Sequence, residues 1–275
     1  MNSHYRGMDR AALDAAYNNT LAVADSARLL ADFDARSERM RRERGTALDL
    51  RYGPAPRNRI DYFAGANGAP LLVFIHGGYW QMRAKETFSF LAEGPLAHGI
   101  HVACIGYTLA PDISLQGIAG EVRAALAWLA AHAAGYGADA GRIYVSGWSA
   151  GGHLTALCMD EPAVRGGLAI SGIYDLEPIR LCYLNEKLGL REEDVETLSP
   201  LRIMQISKAP MMLACGGAEL PELQRQSADY AAARERAGLH VRLRRIEGCN
   251  HFTILEELAR PTGVLTGMLL DLISI

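Results

Sequence analysis

Nowhere in the 275 residues do two cysteines form a C-x-x-C pair. The five present, Cys104, Cys158, Cys182, Cys215 and Cys249, lie far apart and mostly within apolar stretches. An odd count without metal-ligand spacing predicts reduced, buried thiols in a cytoplasmic protein rather than a disulfide framework. No two histidines stand at the i, i+4 spacing of a zinc helix, so no metal or other cofactor is expected. No apolar run approaches the roughly 18–20 residues that span a bilayer. The opening "MNSHYRGMDRAALDAAY" lacks the apolar stretch of a secretory signal. There is no excess of one charge either: the formal net charge is −3, which argues against nucleic-acid or anionic-membrane partners. Internal repeats and low-complexity linkers are also missing. These gaps leave a soluble, intracellular, globular chain.

What is present fits that class, with 49% hydrophobic and 21% charged residues, near the soluble average. Residues 1–45 have helical character, since Leu13, Tyr17, Leu21 and Ala24 fall near helical spacing. "ARSERMRRERG" within that segment is expected to be a solvated helix face. "TALDLRYG" and "RNRIDYF" alternate apolar and polar residues and predict two half-exposed edge strands. Then come continuous apolar runs stopped by glycines: "PLLVFIHGG", "HVACIGY", "RIYVSG", "GGLAISG" and "APMMLACGG". Such runs suit strands buried on both faces of a parallel sheet. "HVRLRRIEG" predicts a sixth strand nearer an edge. Helical segments separate most of them, notably "LQGIAGEVRAALAWLAAH" and "PELQRQSADYAAARERAG". This alternation predicts an α/β fold, a mostly parallel sheet with helices on both faces. Residues 173–208 break the rhythm and read as a small cap over the carboxyl ends of the strands.

One stretch carries chemistry. In "IYVSGWSAGGHL" a strand run meets a helix across Gly147-Trp148-Ser149-Ala150-Gly151-Gly152. The G-x-S-x-G pattern between strand and helix is the setting of a strained turn that leaves a serine hydroxyl exposed. A helix-capping serine would explain the helix start but not the glycines. Ser149 is therefore the candidate nucleophile. The helix behind it would set its positive dipole end under the reacting oxygen.

A serine nucleophile needs a base and an oriented acid, in the order serine, acid, histidine. Of the eight histidines, His4 lies in the polar start, while His98, His101, His132 and His240 sit at element ends. His153, one turn after Ser149, is expected to pack. His251, in "EGCNHFTILEEL", follows the last strand and is the candidate base. The acid is expected after the penultimate strand, where Glu219 comes first. Asp175 in "SGIYDL" is its rival, and Glu222 is expected to decorate a helix start. "FIHGGYW" ends a buried strand with two glycines, so Gly77 and Gly78, with Ala150, are expected to aim backbone N–H groups at a developing oxyanion. His76 would hold that loop. Tyr79, Trp80 and Trp148 are candidates for an aromatic substrate wall, and Arg83, Arg180 or Arg202 for a partner to a substrate carboxylate.

In this order, "FIHGGYW", "YTLAP", "GWSAGGHL", "SGIYDLEPI", "GGAELPELQRQS" and "CNHFTILEEL" resemble the α/β-hydrolase superfamily, and most of all its kynurenine formamidase (arylformamidase) branch, akin to hormone-sensitive-lipase-type esterases. The resemblance runs from about Leu48 onward. It implies one α/β-hydrolase domain over residues 1–275, with Ser149 as nucleophile, His251 as base and Gly77, Gly78 and Ala150 as oxyanion donors. The acid position falls on Glu219, where animal members usually carry Asp. The implied activity is hydrolysis of a small-molecule aryl formamide through an acyl-enzyme. A short-chain carboxylesterase is the alternative, and a non-catalytic ligand receptor is the alternative of another class. A homodimer contact through the N-terminal segment is a further expectation.

Overall fold

The computed structural model describes residues 5–204 and 207–275; His4 lies outside them. Its centre is an eight-stranded sheet: β1 (Ala47–Arg51), β2 (Arg59–Phe63), β3 (Leu71–Ile75), β4 (His101–Ile105), β5 (Ile143–Trp148), β6 (Val164–Ile170), β7 (Met211–Gly216) and β8 (Val241–Ile246). The spatial order is β1-β2-β4-β3-β5-β6-β7-β8. β1, β2 and β4 pair antiparallel, and from β4 through β3 to β8 every pairing is parallel. All eight segments expected as strands are strands.

The sheet's central strands divide their side chains between two cores, as the two-residue period of a strand requires. Leu71, Val73 and Ile75 of β3 face one core, and Leu72 and Phe74 the other. The first core takes the helix Leu115–His132, capped by Ser114, through Leu115, Ile118, Val122, Leu126 and Leu129. The second takes the helix Ser26–Arg44 through Leu30 and Phe33, with the Phe33 ring stacked on Phe90 at 4.5 Å.

Two expectations need correction. β2 is not half-exposed: it lies inside the sheet, and its Asp61 is fully buried. The polar residue that suggested a wet face is instead paired, with Arg41 at 2.8 Å and Lys85 at 2.8 Å. His101, expected at a boundary, is also buried; its Nε2 meets the Ala66 carbonyl at 2.7 Å and its Nδ1 meets the Tyr62 hydroxyl and the Gly65 N–H.

The N-terminal segment forms three helices, Arg10–Ala16, Asn19–Ala22 and Ser26–Arg44. Leu13 and Tyr17 are buried as their spacing suggests, while Leu21 is 79% exposed. Between β6 and β7 the described residues form short helices, Glu177–Leu181, Asn185–Leu188, Glu192–Leu198 and Pro200–Ile203. No described helix is long and apolar enough to cross a membrane.

Candidate active site

Each candidate residue sits just past the carboxyl end of a parallel strand. Ser149 follows β5, the glycine loop follows β3, Glu219 follows β7 and His251 follows β8. In open α/β sheets that edge is where ligands bind.

Ser149 has φ 58° and ψ −118°, a conformation that side-chain-bearing residues rarely hold. It is locked on both sides. Its N–H donates to the Ile170 carbonyl at 2.8 Å, and its carbonyl accepts from the His153 N–H at 3.1 Å, opening the helix Ala150–Leu157. Gly151 is what lets this helix begin so close to the sheet, because a Cβ there would overlap the carbonyl oxygen of Ile75 on β3.

The loop after β3 carries four residues at positive φ: Gly78 at 113°, Tyr79 at 50°, Trp80 at 60° and Arg83 at 76°. At Gly78 a Cβ would overlap the Met82 carbonyl, so the sharp turn requires glycine. His76 braces the loop. Its Nδ1 donates to the Gly77 carbonyl at 2.8 Å, and its ring stacks on Tyr107 at 4.2 Å. The Tyr107 hydroxyl in turn donates to the His76 carbonyl at 2.9 Å. Burial lowers the His76 pKa to about 4, so the ring is neutral near neutral pH. The N–H groups of Gly77, Gly78 and Ala150 have no acceptor among the described residues. Of the three, Gly78 lines the cleft that holds Ser149, and an open backbone donor there suits an oxygen that gains charge.

His251 and Glu219 meet directly, Nδ1 to Oε2 at 3.1 Å, with both side chains almost wholly buried. The other carboxylate oxygen, Oε1, accepts from the Ser171 hydroxyl at 2.5 Å and from the Gly216 N–H at 2.6 Å. A carboxylate so held has one orientation left, and it points at imidazole. The loops carrying acid and base are also tied together, the Ala218 N–H donating to the Cys249 carbonyl at 3.0 Å. Trp148 fixes the base from beneath. Its Nε1 donates to the His251 carbonyl at 2.8 Å, and its ring lies 4.7 Å from the imidazole centroid. With Nδ1 engaged by Glu219, Nε2 is the nitrogen free to serve the cleft. Ser149 Oγ and His251 Nε2 line the same cleft and form no hydrogen bond with each other among the described residues.

Asp175 is elsewhere. Its oxygens take the hydroxyl of Tyr5, from the N-terminal segment, at 2.9 Å and Arg202 at 3.2 Å. Glu222 accepts from the Tyr17 hydroxyl and pairs with Arg225 at 2.7 Å at the start of the helix Pro221–Arg236. His153 packs, donating or accepting through Nε2 at the Leu198 carbonyl; since a carbonyl only accepts, the ring nitrogen donates, at 2.8 Å.

One cleft holds Ser149 and His251 together, lined by Asn19, Gly78, Tyr79, Arg83, Trp148 and Phe252, with Thr20 and Met82 at its rim. The space it holds open for a water-sized molecule is about 30 Å³, well below the roughly 300–1,000 Å³ of ligand pockets. Tyr79 and Trp148 are in that wall. Trp80 is not: it is fully buried, packs edge-on against His153 at 5.0 Å, and so supports the loop from behind. Asn19 and Thr20 come from the N-terminal segment, and nothing in their local sequence marks them. Ser171 carries a faint signal, since it ends "GGLAISG" at the same sheet edge as the glutamate.

A serine in a strained strand-to-helix turn, open N–H groups and a histidine–carboxylate pair stand at one sheet edge, and the comparisons with known proteins make the chain a hydrolase of the α/β-hydrolase fold. A family profile described as BD-FAE matches residues 63–161. Kynurenine formamidase of Danio rerio is 32% identical over 257 residues, covering 86% of this chain and 85% of that protein. The Drosophila melanogaster kynurenine formamidase is 29% identical, covering 79% and 78%. The chain belongs to the kynurenine formamidase family. Among solved structures, a protein of Silicibacter sp. TM1040 described provisionally as a thioesterase superposes with a TM-score of 0.82 at 30% identity, covering 96% of this chain and 99% of that one. A Pyrobaculum calidifontis esterase reaches a TM-score of 0.71 at 20% identity over 93% and 95%, which is likeness of fold.

Proposed function

We propose that Ser149, His251 and Glu219 act as a catalytic triad that hydrolyses aryl formamides, N-formylkynurenine being the reference substrate. The observation that carries this reading is the 3.1 Å contact of His251 Nδ1 with a glutamate whose other oxygen is already occupied. In the proposed reaction His251 Nε2 takes the Ser149 proton as Oγ attacks the formyl carbon. The N–H groups of Gly77, Gly78 and Ala150 receive the oxyanion; a single donor of this kind is worth about 10²–10³ in rate. The C–N bond breaks as His251 returns the proton to the leaving aryl amine. Water, activated by the same imidazole, then attacks the formyl-enzyme and releases formate. Throughout, Glu219 holds the ring and stabilises its cationic form.

The family relationship supports formamide as the acyl group, and the small cleft supports a small acyl portion. Esters would react by the same steps, and the esterase fold neighbours keep a short-chain carboxylesterase as the second reading. The short helices between β6 and β7 serve as the cap in this reading, and the five free cysteines support work in a reducing compartment such as the cytoplasm. A homodimer contact through the N-terminal segment would have Leu21 available at its surface.

The test compares kcat/KM for N-formyl-L-kynurenine and p-nitrophenyl acetate. Preference for the formamide supports the arylformamidase reading; turnover of the ester alone replaces it with the second.

A further inference from the structure

Two groups in the cleft are left without partners by the protein itself. The first is the side chain of Arg83. Sequence alone offered three arginines for a substrate anion, and the structure separates them. Arg180 is paired with Glu177 at 2.7 Å, and Arg202 with Asp175 and Glu196. Arg83 lines the cleft and has no carboxylate or other acceptor for its guanidinium among the described residues. Its backbone is built for the place. It holds φ 76°, with its carbonyl clamped by Arg57 Nη2 at 2.5 Å. A Cβ added to Gly78 would come 2.8 Å from Arg83 Cγ, so the arginine stem lies over the oxyanion loop.

The second is Oδ1 of Asn19. This residue is 4% exposed, lines the same cleft, and its Oδ1 has no donor among the described residues. Its orientation follows from its neighbour. The only proton of the Tyr79 hydroxyl goes to the Tyr17 carbonyl at 2.5 Å, so that oxygen can only accept from Asn19 at 2.7 Å. The amide nitrogen therefore faces Tyr79, and the bare carbonyl oxygen is the free end. A buried polar atom without a partner costs stability unless something meets it.

A cleft that keeps one cation and one strong acceptor unmet fits a ligand with an anion and an N–H donor. We propose that Arg83 and Asn19 are specificity-determining residues, Arg83 taking the carboxylate and Asn19 Oδ1 the ammonium of an α-amino-acid head carried by the leaving group. This rests on the reaction proposed above and assigns to named residues the choice of its leaving group. It also gives the N-terminal segment a task, since Asn19 precedes the sheet altogether.

Three aryl ketone formamides with the same scissile bond test it: N-formyl-L-kynurenine, its des-amino analogue 4-(2-formamidophenyl)-4-oxobutanoate, and neutral 2-formamidoacetophenone. The readout is the ratio of kcat/KM between substrates, which a loss of folded enzyme does not change. Arg83→Gln is expected to lower the ratio of N-formylkynurenine to the acetophenone by about 10- to 100-fold, mostly through KM, the range for a hydrogen bond to a charged group. Arg83→Lys is expected to retain part of it. Asn19→Ala is expected to lower the ratio of N-formylkynurenine to its des-amino analogue several-fold. Ratios unchanged by Arg83→Gln overturn the assignment. If the wild type cleaves only esters, the arylformamidase reading falls by itself. Arg83 is then judged by the ratio of 2-acetoxybenzoate to phenyl acetate, which must drop in Arg83→Gln for the anion site to stand.

Discussion

Glu219 divides its carboxylate between two tasks: Oε2 faces His251 Nδ1 at 3.1 Å, and Oε1 is held by Ser171 at 2.5 Å and by the Gly216 N–H at 2.6 Å. Positioning and chemistry are thus separate ends of one side chain. Glu219→Gln keeps the volume but removes the charge that supports the imidazolium, and kcat is expected to fall about 10³- to 10⁴-fold with the fold intact. Ser171→Ala removes one of the two anchors and leaves the charge. A loss of about tenfold is expected, and single-turnover kinetics of both variants check the order.

Lys85, buried just past the cleft-lining Arg83, joins an ionic cluster in which Asp61 is buried and Asp49 and Glu86 reach solvent. Its Nζ lies 2.7 Å from Asp49, 2.8 Å from Asp61 and 2.6 Å from Glu86. Asp61 is fully buried on β2, so Lys85→Met leaves its charge with one ion-pair partner, Arg41, and the Asp49 N–H. Removing one partner of such a cluster costs about 3–5 kcal/mol. Urea denaturation is expected to show that loss, whereas a fall of under 1 kcal/mol would mean Arg41 suffices.

Acid stability follows from two buried histidines. Burial lowers both His76 and His153 to a pKa of about 4, below the unfolded value near 6.5. The unfolded chain therefore binds protons that the folded one refuses, and the stabilisation is complete above about pH 6.5. It is lost as pH falls from there toward 4, by up to about 3 kcal/mol for each ring. His153→Gln is expected to flatten the fall in urea midpoint over that window. An unchanged slope would mean that His153 is protonated in the fold.

Much of this site is visible in the chain because its parts are local. The elbow at Ser149 needs small residues within two positions on either side, and the glycine loop follows its strand immediately. His251, which meets Glu219, is equally exposed to sequence reasoning as the histidine after the last parallel strand. What escapes is set by the sheet order rather than by neighbours in sequence. Ser171 reaches Glu219 because β6 lies beside β7, and Asn19 reaches the cleft from the N-terminal helices, far from Ser149 in sequence. Trp80 misleads for the opposite reason. Its position beside the glycines suggests the cleft, whereas its ring is fully buried against His153, a residue 73 positions away in the chain. β2 misleads likewise, since a polar residue in a strand gives no warning of a buried ion pair.

The central claim is that Ser149 is the nucleophile, and the most direct measurement is mass spectrometry of the intact protein quenched during turnover of a slowly released acyl substrate, beside kcat of Ser149→Ala. A covalent acyl adduct mapping to Ser149, with kcat down by about 10⁴-fold or more in the alanine variant, is the predicted result. A variant as active as the wild type, or an adduct on another residue, would contradict it.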